Sequence, residues 1–172
     1  MSFTFKDSLS LSIFGSSHGG YVGIALSGFP PGMPIDLKKI DLWMKRRAPG
    51  NSSLTSQRKE SDEIEVLSGI NNGYTDGGSI AISIKNRDVI GKGYDEILDK
   101  PRPGHGDLSL FYKYGRFRNS SGGGFLSGRM TAPLVAAGAM CMQAMEGIGV
   151  EIVSYIDSMG DITYDMDASV VV

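Results

Sequence analysis

The sequence has 172 residues, with 17 Lys and Arg against 19 Asp and Glu, which gives a formal net charge of −2. This length suits one domain with its own core, and a single cysteine, Cys141, excludes a disulfide-stapled secreted protein. Two histidines and one cysteine are too few for a His/Cys zinc site. Residues 132–142 form the longest nearly apolar run, which is shorter than the roughly 20 residues of a membrane span. Residues 1–15 lack a signal-peptide core, so we expect a cytoplasmic protein without membrane or metal.

The first part of the sequence predicts two strands and a helix. Apolar residues alternate with serines over 8–13, which is typical of a half-buried strand, and residues 21–26 predict a second strand. Together they form a hairpin whose connection carries His18. Asp36 caps a helix that ends before Pro49, with apolar Leu37, Ile40, Trp43 and Met44.

Further along the chain, two strands over 64–70 and 79–84 are predicted to form a hairpin, punctuated by an Asn-Gly turn. Residues 131–145 predict the longest helix, and residues 150–156 predict another strand. The polar segment 51–62 and most of 86–107 are interpreted as loops. These elements indicate the α+β class, with mainly antiparallel sheets and packed helices.

Basic residues concentrate in two windows, with seven cations in residues 38–59 and six in residues 100–129. Arginine forks match phosphate and carboxylate groups, and a cleft lined by one sign of charge attracts the opposite sign. The windows therefore indicate an anionic ligand. A solvated basic face remains the alternative interpretation.

Both histidines, His18 and His105, lie in loops with adjacent glycines. An imidazole exchanges protons near neutral pH, and glycine lets the backbone approach a ligand closely. The pattern favours catalytic histidines, although a structural or merely exposed histidine remains open.

A glycine-rich run at 122–128 comes immediately before the long helix, where free backbone N–H groups can bind an anion. It resembles a phosphate-binding P-loop only weakly, because Arg129 and Met130 stand where Lys and Ser or Thr are required. Residues 111–118 alternate aromatic and basic side chains, as in single-stranded nucleic-acid platforms. Aromatic positions in a strand are more often core, so nucleic-acid binding is the weaker hypothesis and we expect none.

Several motifs occur in order, and together they resemble those of the chorismate synthase family. They are Phe14-Gly15-Ser16-Ser17-His18-Gly19, Gly28 to Pro34, Arg46-Arg47-Ala48-Pro49-Gly50, Gln57 to Asp62, Arg102 to Asp107, Lys113-Tyr114-Gly115, Gly122-Gly123-Gly124, Ser127 to Ala132, Val135 to Ala139 and Met159-Gly160-Asp161. The resemblance spans essentially the whole chain but about half of the family's usual length. It implies that residues 1–172 are the N-terminal half of a chorismate-synthase-like domain, part of a β-α-β sandwich.

The resemblance implies a lyase of the shikimate pathway, which serves aromatic amino acid biosynthesis. The family converts 5-enolpyruvylshikimate 3-phosphate to chorismate and phosphate by 1,4-anti elimination. It requires reduced FMN as a flavoprotein cofactor, and some members reduce the flavin themselves with NADPH. The implied partners are this small phosphorylated substrate and further copies of the chain, since the family forms homotetramers.

The same resemblance assigns roles to individual residues. His18 matches the histidine that assists phosphate departure, and His105 matches the histidine beside the reduced flavin. Arg47, Arg102 and Arg129 match arginines that hold the substrate, with Arg47 also near the cofactor. Ser127 matches part of the flavin-contacting segment.

The sequence departs from the family's usual residues at several of these motifs: Ser16, Ser53, Asn119 to Ser121, Phe125, Leu126, Met130 and Leu134. Phe125, Leu126 and Leu134 replace polar residues and thereby remove hydrogen-bond donors from an anion site. An inactive homologue, or an anion-binding partner chain lacking the C-terminal half, is therefore the alternative to an active enzyme.

Overall fold

The computed structural model describes residues 3–49, 61–87, 89, 100–119 and 122–163. Its strands are β1 (Phe3–Lys6), β2 (Ser10–Gly15), β3 (Tyr21–Ser27), β4 (Ile64–Ser68), β5 (Ile70–Asn71), β6 (Tyr74–Thr75), β7 (Ile80–Lys85), β8 (Ser158–Met159) and β9 (Ile162–Thr163). The α-helices are α1 (Leu37–Arg47), α2 (Asp107–Tyr114) and α3 (Thr131–Glu146). Short 3₁₀ turns lie at Gly115–Phe117, Gly124–Leu126 and Gly128–Met130.

Five strands form one antiparallel sheet in the order β1-β2-β3-β7-β4. In its centre, Ile24 pairs with Ile82 and Leu26 with Ile80, and all four side chains are buried. Because alternate residues of a strand point to the same face, these isoleucines and leucines make one apolar face. The antiparallel sheet with packed helices confirms the α+β prediction.

Helices α1 and α3 cover the apolar face of the sheet. The buried side chains of α1 are Ile40 and Met44, whereas α3 contributes mainly alanines and Met140 to the core. Gln143 of α3 joins the two helices, because its Oε1 accepts from the Asp36 backbone N–H at 2.7 Å and its Nε2 donates to the Asp36 carbonyl at 3.2 Å. Among the described residues, no helix has the length and apolar character needed to cross a bilayer.

Helix α1 begins and ends where the sequence predicts. The Asp36 side chain accepts a hydrogen bond from the Lys38 backbone N–H at 2.9 Å, which satisfies one unpaired donor of the first turn. The last turn holds Lys45, Arg46 and Arg47, whose charges suit the negative end of the helix dipole. Arg47 thus emerges at the C-terminal end of α1.

The other predicted strands have mixed outcomes. The hairpin over 64–70 and 79–84 is confirmed as β4 and β7, with the small hairpin β5–β6 inserted between them. The strand predicted over 150–156 is wrong: no described residue pairs with it, and Ile156 is 67% exposed. Its β-branched residues have strand propensity, but a strand requires a neighbouring backbone.

The aromatic and basic segment 111–118 is not a strand. Residues 107–114 form helix α2, and the following residues form a 3₁₀ turn, so the aromatic side chains do not alternate across a sheet. Tyr112 and Phe117 are exposed, not core. The loops predicted over 51–62 and 86–107 lie largely outside the described residues.

Candidate active site

The loop that carries His18 connects β2 to β3 at the end of the sheet. Gly15 begins it with φ +97°, and a Cβ on Gly15 would overlap the Tyr21 carbonyl oxygen. Only glycine fits this turn without strain. The backbone N–H of Ser17 donates to the Gly124 carbonyl at 3.1 Å, so the loop is attached to the glycine-rich run. His18 itself is partly buried.

A second attachment of the His18 loop comes from Asn86, which directly follows β7. Its Nδ2 donates to the Ser16 carbonyl at 3.0 Å and to the Gly19 carbonyl at 2.7 Å, while its backbone N–H donates to Gly20 at 2.9 Å. On the other side, Asn86 Oδ1 accepts from Arg129 Nε at 2.9 Å. Asn86 therefore connects the histidine loop with an arginine of the predicted site.

A buried carboxylate, that of Asp62, joins two of the predicted arginines. Asp62 Oδ2 accepts from Arg47 Nη1 at 2.5 Å, and Asp62 Oδ1 accepts a short hydrogen bond from Arg129 Nη1. The side chains of Asp62 and Arg129 are 0% and 2% exposed, whereas that of Arg47 is 20% exposed. Among the residues that the structure describes here, two cations face one anion, and such an excess of positive charge favours a negatively charged ligand.

The start of helix α3 supplies further contacts to this cluster. Arg47 Nη2 donates to the Gly128 carbonyl at 3.5 Å, and Arg47 Nε donates to Thr131 Oγ1 at 3.4 Å. Ser127 Oγ accepts from the Arg129 backbone N–H at 3.2 Å and caps the 3₁₀ turn that leads into α3. The C-terminal end of α1 and the N-terminal end of α3 thus hold Arg47 and Arg129 beside each other.

Arg102 and Asp107 form a two-pronged ion pair at the start of α2. Arg102 Nε donates to Asp107 Oδ2 at 2.7 Å and Nη2 donates to Oδ1 at 3.0 Å. The hydrogen bond from Arg102, which outweighs the opposing effect of burial, lowers the pKa of Asp107 to about 2. Arg102 Nη2 also donates to the Gly122 carbonyl at 2.9 Å, which ties the His105 loop to the glycine-rich run.

His105 lies exposed on that loop. Its Nδ1 is 3.2 Å from the Pro103 carbonyl oxygen, and because a carbonyl only accepts, Nδ1 carries the proton in this contact. In a neutral ring, Nε2 is then the acceptor. The neighbouring Gly106 packs against Leu126, which lies in the same run that contacts the His18 loop. Both histidine loops therefore rest on residues 122–126.

A cavity of about 360 Å³ opens beside the His18 loop. Aromatic rings and a guanidinium dominate its lining, which consists of Gly15, Ser16, Tyr114, Phe117, Arg118, Asn119 and Phe125. Phe125 also lines a neighbouring apolar hollow of about 290 Å³ that includes Ser127, Met130 and Leu134. Aromatic side chains together with one guanidinium suit a planar, negatively charged ligand.

The structure thus brings Arg47, Arg129 and Ser127 into one cluster, and Asn86 links Arg129 of this cluster to the backbone of the His18 loop. Arg102 and the His105 loop are linked to the His18 loop through the glycine-rich run. Sequence reasoning missed Asp62 and Asn86, which hold this cluster together. Asp62 is the last residue of the motif Gln57 to Asp62, so its place in a family motif was visible in the sequence. Its role was not, because nothing in a polar segment indicates that one carboxylate becomes buried.

Comparison with known proteins decides the family. The sequence model of the family described as chorismate synthase matches residues 9–172. The chain belongs to the chorismate synthase family. A relative named chorismate synthase from Pyrobaculum aerophilum is 42% identical over 159 residues, which cover 92% of this chain and 43% of that protein. Another from Synechocystis sp. is 42% identical over 169 residues, which cover 98% of this chain and 46% of that protein.

Other similarities within the chorismate synthase family agree. A relative of the same name from Ralstonia nicotianae is 44% identical over 154 residues, covering 89% of this chain and 42% of that protein. A solved structure described as the crystal structure of chorismate synthase matches with a TM-score of 0.67 and 30% identity, covering 91% of this chain and 39% of the other. The chain therefore spans less than half the length of the curated relatives it matches.

Proposed function

We propose that this chain is the N-terminal part of a chorismate synthase. It would act as a lyase in the shikimate pathway, converting 5-enolpyruvylshikimate 3-phosphate to chorismate and phosphate by 1,4-anti elimination. The main support is the cluster in which Asp62 holds Arg47 and Arg129 next to the His18 loop. A substrate with one phosphate and two carboxylates needs such concentrated positive charge together with a proton donor.

In this proposal the arginines orient and neutralise the substrate. The side chains of Arg47 and Arg102 are 20% and 27% exposed and can reach a bound anion, while buried Arg129 adds positive charge from behind. His18, on a loop held at both ends, would donate a proton as the carbon–oxygen bond to phosphate breaks. The neutral tautomer of His105, with Nδ1 on Pro103, offers Nε2 to accept or return a proton near the cofactor.

Reduced FMN is the cofactor that the family implies, and the cavity beside Gly15 has a lining that fits it. Tyr114, Phe117 and Phe125 are aromatic side chains that suit a planar ring, and Arg118 is a cation that suits its negative charge. Of the two cofactor-binding residues implied by the resemblance, Ser127 lines the neighbouring hollow, and neither Ser127 nor Arg47 is among the residues that line this cavity. When bound, reduced FMN would supply electron density that helps to expel phosphate. Flavin reduction by NADPH, a homotetramer and a cytoplasmic location also belong to this proposal.

The second candidate is a homologue that binds the anionic ligand without turning it over. The observation in its favour is that Phe125, Leu126 and Leu134 are apolar where the family's usual residues are polar, so the hollow that they line offers a ligand fewer hydrogen-bond partners. In that case the arginine cluster would bind substrate, and phosphate would not be released.

An anaerobic phosphate-release assay tests the proposal, with reduced FMN and 5-enolpyruvylshikimate 3-phosphate as reagents. The chain is assayed alone and together with the C-terminal region of the Synechocystis relative as a separate chain. We expect phosphate release in at least the second mixture and a loss of about 10²-fold or more in His18→Ala. Lys38→Ala, an exposed cation outside the cluster, serves as the matched control and should release phosphate at the wild-type rate. If neither the chain alone nor the mixture releases phosphate, the enzyme hypothesis is contradicted and the binding hypothesis is left.

A further inference from the structure

The hydrogen bonds of Asn86 connect the His18 loop to the arginine cluster. We propose that Asn86 is a positioning residue that holds the His18 loop and Arg129 in one fixed arrangement. Its importance for the reaction rests on the function proposed above, whereas its effect on the loop can be measured independently. Asn86 is not among the residues that the family resemblance assigns to the site, so it adds to them.

Both polar atoms of the Asn86 side chain make hydrogen bonds. Both hydrogens of Nδ2 reach backbone carbonyls, those of Ser16 and Gly19, which flank the two residues Ser17 and His18. Its Oδ1 accepts a hydrogen bond from Arg129 Nε. These partners fix the orientation of the amide, since carbonyls require a donor and a guanidinium requires an acceptor. Asn86 is only 3% exposed, so water does not replace these bonds easily.

The sequence separation between Asn86 and its hydrogen-bond partners distinguishes a positioning residue from an asparagine that only stabilises its own turn. Asparagines in turns usually bond their own backbone two residues away. The side-chain partners of Asn86 instead lie 43, 67 and 70 residues away, at Arg129, Gly19 and Ser16. Asn86 directly follows β7, an interior strand of the sheet that is anchored by the buried side chains of its isoleucines, so its position is determined by the core. The core therefore determines the position of the His18 loop through Asn86, and the same Asn86 side chain also positions Arg129.

Asn86→Asp separates the two connections. An aspartate of the same shape still accepts from Arg129, but it cannot donate to Ser16 and Gly19 and instead places a negative oxygen against two carbonyls. Asn86→Ala removes both connections. Ser83→Ala is the matched control, because Ser83 is a buried polar residue on β7 that bonds Glu65 and lies outside the loop.

The chain has two histidines, so their ring signals in NMR spectra report separately on the two loops. We expect Asn86→Asp and Asn86→Ala to shift and broaden the ring signals of His18 while those of His105 stay in place. The backbone amides of Ser17 to Gly20 should exchange with solvent roughly tenfold faster or more, as expected for two lost hydrogen bonds. Ser83→Ala should change neither. Unchanged His18 signals in folded Asn86→Asp would overturn the proposal.

A measurement on the wild-type chain makes the test independent of how the variants fold. The side-chain NH₂ protons of Asn86 should exchange at least about tenfold more slowly than those of exposed Asn71 and Asn72. Equal exchange rates would refute the hydrogen bonds on which the proposal stands.

Titration with inorganic phosphate then separates this proposal from the proposed function. Movement of the His18 signals in the wild type, weakened in Asn86→Asp, would support both. If the loop responds to the Asn86 variants but not to phosphate, the positioning role stands and the anion site fails.

Discussion

Replacing Asp62 with asparagine tests the arrangement of charge in the candidate active site. The substitution keeps the shape of the side chain and removes its negative charge. It also keeps the backbone, because Asp62 has φ +50°, a left-handed conformation that asparagine tolerates. Arg47 and Arg129 would then face each other without a carboxylate between them.

The expected cost follows from the burial of these groups. Removing one partner of a buried ion pair typically destabilises a protein by about 3–5 kcal/mol, because the remaining charge is left without compensation. Arg129 is 2% exposed and cannot be rehydrated in place, whereas Arg47 is 20% exposed and recovers part of its hydration. The asparagine side chain would also keep one hydrogen-bond acceptor between them. We therefore expect the free energy of unfolding to fall by about 3 kcal/mol, at the low end of that range.

Urea unfolding followed by fluorescence measures this change, since Trp43 is the one tryptophan of the sequence. Asp62→Gly separates charge from backbone strain: it relieves the positive φ, yet it should also destabilise the chain because the carboxylate is lost. Glu146→Gln is the matched control, because it removes a carboxylate from an exposed ion pair with Lys39 and should have little effect. If Asp62→Asn unfolds at the same urea concentration as Glu146→Gln, the reasoning about the buried cluster is refuted.

Two further predictions concern the loop of His105. The pKa of Asp107 is lowered from 3.8 to about 2, so its ion pair with Arg102 contributes fully above about pH 4 and is lost as the pH falls toward 2. In urea unfolding at pH 6, the free energy of unfolding of the wild type should be about 1–2 kcal/mol larger than that of Asp107→Asn, and this difference should be smaller at pH 3. A difference that does not change with pH would contradict the prediction. A Cβ on Gly106 would overlap Leu126 Cδ1, and since the exposed Leu126 can rotate away, Gly106→Ala should lower the unfolding free energy by no more than about 1 kcal/mol. Leu126→Ala in the same chain should restore most of that loss. If the changes in unfolding free energy of the two substitutions simply add, the His105 loop and the glycine-rich run do not pack together.

Local patterns allowed much of the fold to be predicted. Helix α1 has its own cap at Asp36 and a basic last turn, and the alternation in β2 and β3 belongs to adjacent residues, so these signals needed no distant partner. Residues 150–156 have the composition of a strand but no described neighbour to pair with. The aromatic and basic side chains of residues 111–118 suggested a strand, yet the first four of these residues belong to helix α2, which Asp107 at its start and Gly115 at its end favour.

Some residues of the candidate site can likewise be recognised in the sequence, and others cannot. Cations and histidines beside glycines are visible in the sequence, because an anion-binding residue is recognised by its own chemistry. Asp62 and Asn86 are recognised only by what they touch, across 67 residues to Arg129 and across 70 residues to Ser16. The sequence offers no local sign of such distances. A carboxylate is also unexpected in an anion site until its position between two guanidinium groups is known.

That position explains why a negative side chain belongs to this site. Two unpaired guanidinium groups would repel each other and resist burial, so Arg47 and Arg129 could not lie together without an acid between them. Asp62 allows the pair to form, and within the described part of the cluster one positive charge remains in excess. Because Arg129 is buried and Arg47 is partly exposed, the excess charge faces solvent on the side of Arg47. The carboxylate therefore concentrates positive charge at the open side of the cluster, where an anion can approach, instead of cancelling it.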